Sequence, residues 1–219
     1  MPFTTAPAHV LWTGTFGRRV ADHLTSLTDW PSATADALGS RSAEWPHTEL
    51  RVLALWRDEP RLLADVSRLH SVCRTTWLPV VQEFPLIRIG PLVVPGRGPC
   101  HSCYTRRRAQ HDRGREVSRA LQESREADPG HGIAGFTDAQ AMIVAGLAVD
   151  LLTRYRTGEG ALAGQVTFYN VLSRSLFSDT VIGVHGCEEC GPPTAPDDGW
   201  RRLAAELPLT TGTVAGGER

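Results

Sequence analysis

Pro99-Cys100-His101-Ser102-Cys103 and, most of a domain later, Gly186-Cys187-Glu188-Glu189-Cys190-Gly191 form two short hooks of the C-x-x-C kind. Two thiolates two residues apart reach one face of a tight turn, and two such turns complete the tetrahedral sulfur shell that zinc prefers. Cys100, Cys103, Cys187 and Cys190 are therefore the expected metal ligands. Disulfides, or burial as small apolar side chains, are the alternatives. A redox pair usually stands alone at a helix start within a thioredoxin-like pattern, which this chain lacks. Glycine and proline flank both hooks, as expected where backbone curls around one ion. Four thiolates close the shell, so such a site holds structure and does not activate water.

Working outward, Leu86-Ile87-Arg88-Ile89 and Leu92-Val93-Val94 read as a hairpin-like pair broken at Gly90-Pro91, which delivers the chain to Cys100. On the far side, the alternation of Gln165 to Val171 and a second strand near Phe177 to Val184 deliver Cys187. Between them, Thr137 caps a helix running to about Tyr155. Its apolar residues, Met142 and Ile143 among them, cover most of the circumference and predict a central core helix. Tyr104 to Arg108 begins a helix whose Arg106, Arg107 and Arg108 are expected on a solvated face. The Arg/Glu-rich stretch 112–135 reads as a mobile surface excursion.

The amino-terminal half alternates strand and helix. Val10-Leu11-Trp12 leads through Thr13-Gly14-Thr15-Phe16-Gly17 into a helix from Arg18 to Leu27, the outline of a Rossmann-type opening. Gly14 and Gly17 keep two of the three glycines of G-x-G-x-x-G, but Trp12 replaces the first, so the nucleotide loop is degenerate and a plain β-α turn is the simpler reading. A polar connection from Thr28 to His47 includes a short helix near Ser32 to Leu38. Then come a buried strand at Leu50 to Trp56, a helix from Pro60 to Cys73 with a stripe of Leu62, Leu63, Val66, Leu69 and Val72, and a strand at Trp77 to Val81. Cys73 is expected to be a small core residue. Trp200 to Leu207 is an amphipathic fragment in the tail.

Composition narrows the function. The 219 residues are 41% hydrophobic and 21% charged with a formal net charge of -1, which argues against a broad field for nucleic acid or membrane. No stretch is long and apolar enough to span a bilayer and the first residues lack a signal-peptide pattern, so a cytoplasmic location is expected. All 23 basic side chains are arginine, and Asn170 is the one asparagine. No mechanism here can use lysine to hold a phosphate.

Taken together, Gly90-Pro91-Leu92-Val93-Val94-Pro95-Gly96 running into Pro99-Cys100-His101-Ser102-Cys103, the long apolar helix, and His185-Gly186-Cys187-Glu188-Glu189-Cys190-Gly191 resemble a particular family. This is the degenerate ThiF-like branch of the ubiquitin-activating superfamily, found as cyclodehydratase components of bacteriocin and thiazole/oxazole-modified peptide pathways. The resemblance implies an α/β fold: a Rossmann-like ThiF-type sheet with flanking helices and a four-cysteine zinc-binding subdomain with antiparallel strands, one domain over 1–193 and a tail over 194–219. It also implies a modifying enzyme and a precursor leader peptide as partners, and a homodimer. Active relatives carry a full glycine turn, an acidic residue after the second strand, an Asn/Arg pair and a lysine, all missing or damaged here. The expectation is a non-catalytic scaffold with structural zinc and without ATP. The alternative is an adenylating enzyme using substituted residues such as Arg18, Arg19 or Arg57. Many leader-binding relatives begin with a winged-helix domain, whereas this chain opens almost at once on a strand, so leader recognition is expected at a sheet edge or in a partner.

Overall fold

A computed structural model describes residues 6–35, 45–128, 130–133 and 135–191. In chain order the elements are β1 (Ala6–Trp12), α1 (Gly14–Thr28), β2 (Ser32–Thr34), β3 (Thr48–Leu55), α2 (Pro60–Cys73), β4 (Thr76–Glu83), β5 (Leu86–Ile89), α3 (His101–His111), α4 (Arg115–Ala127), α5 (Asp138–Arg156), β6 (Gln165–Asn170) and β7 (Ser175–Thr180). They build one mixed sheet in the order β2-β1-β3-β4-β5-β6-β7. The strands from β2 to β4 are parallel and those from β4 to β7 antiparallel.

The parallel strands are apolar on both faces because helices cover both. Val10, Val52, Ala54 and Val80 point toward α1 and α5, where they meet Phe16, Val20, Ala145 and Leu152. Leu11, Leu53, Leu55 and Val81 point the other way, toward Leu63 and Val66 of α2. Burying one such aliphatic side chain stabilises the fold by about 1.5–3 kcal/mol. α5 begins with a full capping box in which Thr137 accepts from the Gln140 N–H and Gln140 reaches back to the Thr137 N–H.

Several expectations change. Ser32 to Thr34 is a strand paired with β1, where a short helix was expected, and the rest of that expected helix, like Trp200 to Leu207, lies outside the described residues apart from Ala35. Leu86 to Val94 is not a hairpin. β5 continues along the same edge of β4 to a bridge between Trp77 and Val93, with Gly90-Pro91 as a bulge, and the true hairpin joins β4 to β5. The bulge sits opposite Pro79, whose carbonyl accepts from the Gly90 N–H at 2.7 Å. A strand residue's N–H points to the same side as its C=O, so the hydrogen that proline lacks would have fallen at the bulge. A central strand tolerates proline at such a place.

Stretch 112–135 contains a 13-residue helix, α4. On α2, Val72 and Cys73 are exposed, and the buried stripe is Leu63, Val66, Ser67 and His70. Cys73 is the last residue of that helix and is exposed, so it is not a core residue. Met142 and Ile143 of α5 are exposed as well. α5 packs on the sheet with one face, and its apolar circumference overstated its burial.

Candidate functional site

The sulfur cluster is assembled by a helix start and a turn. Cys100 is the N-cap of α3 and Cys103 lies in its first turn, where the positive end of the helix dipole favours thiolate. Across from them, β7 leads into the turn at Cys187, which the Gly191 N–H closes onto the Cys187 carbonyl at 2.7 Å. A side chain on Gly191 would collide with that carbonyl, so the turn requires glycine. Sulfur to sulfur, Cys100 is 3.8 Å from Cys103 and 3.6 Å from Cys187, and Cys103 is 3.4 Å from Cys190. All four lie within 4.8 Å of one another. A tetrahedron of sulfurs at the usual zinc–sulfur distance has edges of about 3.8 Å. The four ligands can hold a metal ion such as zinc, and none of them is in a disulfide.

The second hook is tied down by its own acid. Glu189 accepts from Ser67 of α2 and from Ser102 of the first hook. The Val184 N–H points at the Cys103 sulfur from 3.3 Å. Burial pushes the Cys100 and Cys190 thiols up, Cys190 to about 11. Against the desolvation of its partly buried sulfur, the backbone N–H groups of Cys190 and Glu189 draw Cys187 down to about 7.

Beside the cluster lies a charge network that the sequence did not announce. Arg88 is 1% exposed, stacks 4.7 Å from the Tyr104 ring centre and donates through Nε to Glu83 at 3.0 Å. Arg108 of α3 approaches the same carboxylate at 2.8 Å, and Asp58 stands 4.0 Å from Arg88. Burial opposes ionisation of Glu83, but Arg88 and Arg108 together hold it below its ordinary value. Arg107 donates to the carbonyls of Ile182 and Gly183. Two of the three arginines expected on a solvated face therefore fasten α3 to its neighbours. The signal for Arg88 was an arginine alternating with Ile87 and Ile89 in a strand, where a charge must be paired if buried. His101, 6% exposed, sits between Trp77 and Tyr104, and burial followed by Arg88 pushes it down to about 3.

The degenerate glycine loop lies at the other candidate place. β2 flanks β1 on one side and β3 on the other, so the crevice outside the carboxyl ends of β1 and β3 is the topological switch point where open α/β sheets bind ligands. Gly14, at φ +60°, opens α1 there, and a Cβ on it would collide with the Trp56 ring. Gly132 approaches that ring equally closely, so Trp56 is held between the loop and the segment after α4. A Cβ on Gly17 would strike the Ala54 carbonyl, which makes its role close packing of α1 on β3. Of the arginines considered as phosphate ligands, Arg19 pairs with Asp138, and Arg18 lies 5.9 Å from the Trp12 ring centre. Arg57 stacks on Trp56 at 5.0 Å and donates to the carbonyls of Arg125, Asp128 and His131.

No family model matches the sequence, and no curated protein matches it. Solved structures do. The heterocyclase TruD superposes with a TM-score of 0.59 at 20% identity over 85% of this chain. MccB of E. coli gives 0.58 at 13% identity over 89%, and the E. coli microcin synthetase McbBCD complex 0.59 at 13% over 84%. The chain has their fold. This heterocyclase-like fold agrees with the resemblance drawn from the hooks. The match spans 28% of the TruD chain, 67% of MccB and 70% of the microcin synthetase chain. No helix among the described residues is long and apolar enough to cross a membrane.

Proposed function

We propose that this protein is a non-catalytic partner in the biosynthesis of a ribosomally made, post-translationally modified peptide. It docks the modifying enzyme and the leader segment of the precursor, in one domain over 1–193 whose four cysteines hold structural zinc. The observation that carries this reading is Trp56 packed on Gly14 in the switch-point crevice, within a fold shared with heterocyclase and microcin-synthetase chains. An indole where backbone would approach a phosphate, in a chain with no lysine, leaves the family's ATP chemistry without its charge stabilisation. The similar structures include MccB with MccA and a heterocyclase with substrate and cofactor, which makes a peptide and a partner enzyme the natural ligands to try.

Isothermal titration against the pathway's precursor peptide and modifying enzyme tests the reading, with binding of at least one expected. Adenylation through substituted arginines is the competing reading. Arg57 would have to leave three carbonyls and the Trp56 ring to serve it. ATP–pyrophosphate exchange that disappears in Arg18→Ala or Arg57→Ala would overturn the scaffold role.

A further inference from the structure

A cleft of about 680 Å³ opens beyond the carboxyl end of β3, between the start of α2, the outer face of α3 and α4. It is unrelated to the sulfur cluster, and Trp56 does not line it. Its size is that of pockets that enclose a ligand of several hundred daltons. Arginines line it from four places: Arg57 after β3, Arg61 from α2, Arg108 from α3 and Arg125 from α4. The Nε atoms of Arg57 and Arg125 are buried without a hydrogen-bond partner.

Four carboxylates line the wall, Asp58, Glu59, Glu83 and Asp112, and each is engaged within the fold: Asp112 accepts from the Gly114 N–H, and Glu59 stands 4.0 Å from Arg57. The Glu83 carboxylate serves both Arg88 and Arg108. Burial, then Glu83, raises Asp58 toward its neutral form. Glu59 is the N-cap of α2 yet makes no cap hydrogen bond, its side chain instead accepting from Thr13 at 2.8 Å. The positive end of the α2 dipole therefore adds to the arginines at the same wall. Next to this polar wall, Phe84 at 60% exposure and Leu121 at 45% leave apolar surface in the cleft. α4 is amphipathic, has no buried residue among its described side chains, and turns Leu121 and Arg125 into this hollow.

We propose that this cleft is a peptide-binding groove that receives an acidic side chain flanked by apolar residues, supplied by a segment of the precursor peptide. The carboxylate is taken up by Arg125, whose Nε is without a partner and whose fork geometry suits bidentate pairing, and the apolar neighbours cover Phe84 and Leu121. Naming the precursor as the source rests on the function proposed above; the carboxylate selectivity does not.

The test is fluorescence polarisation of the full chain with two labelled hexapeptides, Leu-Glu-Phe-Glu-Leu-Gly and its glutamine counterpart, Leu-Gln-Phe-Gln-Leu-Gly. The acidic peptide is expected to bind at least tenfold more tightly. Arg125→Ala, on a helix with no buried residue among its described side chains, should abolish that preference with circular dichroism unchanged, and Arg119→Ala, on the same helix outside the cleft, should leave it intact. Equal affinity for the two peptides, no binding by either, or full retention in Arg125→Ala would overturn the groove. Titration of the pathway enzyme and precursor runs in parallel. Discrimination between the hexapeptides without any binding to those partners would remove the proposed function and leave the groove. Binding to the partners without discrimination would do the reverse.

Discussion

Gly14 shows how a glycine in a strand-to-helix turn can serve close packing. In a nucleotide loop its lack of a side chain lets backbone approach a phosphate, whereas here the same space is filled by the Trp56 ring. Gly14→Ala should therefore destabilise the fold by about 2 kcal/mol or more, since it adds a left-handed backbone penalty of about 1–2 kcal/mol to a collision with the indole. Urea unfolding measures this, and a loss under about 0.5 kcal/mol, the ordinary surface value, would show that Trp56 is not held there. A second prediction at this scale concerns His9 and His70, 3% and 2% exposed, which burial holds at about 4. In the unfolded chain both titrate near 6.5, so between those values only the unfolded state takes up the proton. Their contribution is complete above about pH 6.5 and falls as the pH drops toward 4, by up to about 1.4 kcal/mol per pH unit for each histidine. Urea midpoints between about pH 7 and 4.5 should decline, and the decline should flatten in the His9→Gln, His70→Gln double variant.

Among the elements, those set by strong local patterns were readable from sequence and those set by partners were not. α2 starts at Pro60 and ends at Cys73 as expected, because proline fixes the start, and α5 follows from Thr137 and a long apolar run. Thr137→Ala should remove the side-chain bond of the capping box, which accepts from the Gln140 N–H, and cost about 1 kcal/mol, read as a lower midpoint with an unchanged denaturant slope. By contrast, α4 has few apolar residues and no buried one among its described side chains, so its low hydrophobicity read as an irregular segment. What distinguishes it is the arrangement of Val117 and Leu121 on one side, a period that a compositional reading averages away. The bulge at Gly90-Pro91 was misread for a related reason. Glycine-proline marks a change of direction, but only the pairing of Trp77 with Val93 shows that the strand resumes on the same edge.

Across the whole molecule, the sulfur cluster was the part of the candidate site most legible in sequence, because ligand spacing is a local constraint that survives any arrangement of the intervening chain. The Arg88–Glu83–Arg108 network was illegible, since its members come together only when β4, β5 and α3 are placed. The cluster joins chain segments 87 residues apart: the start of α3, beside α2, and the turn beyond β7, the exposed edge strand. β7 has one sheet neighbour and no buried side chain, and its far end is held by this clasp, the bonds of Ser67 and Ser102 to Glu189, the Val181 N–H on the Gly164 carbonyl and the Arg107 contacts with Ile182 and Gly183. If the four cysteines hold the proposed zinc, a chelator, like Cys103→Ser, should raise hydrogen exchange first across 175–191 and the opening turn of α3, with the parallel strands protected. A loss of about 3 kcal/mol, of the order expected for losing a native cross-link, would lower the melting midpoint by roughly 6–12 °C. Cys73→Ser, at an exposed thiol outside the cluster, should change neither metal content nor midpoint. One zinc per chain in the wild type and none in Cys103→Ser, by elemental analysis, is the matching expectation. Full metal retention in that variant would mean that the two hooks do not share one ion, and the β7 end would then need another anchor.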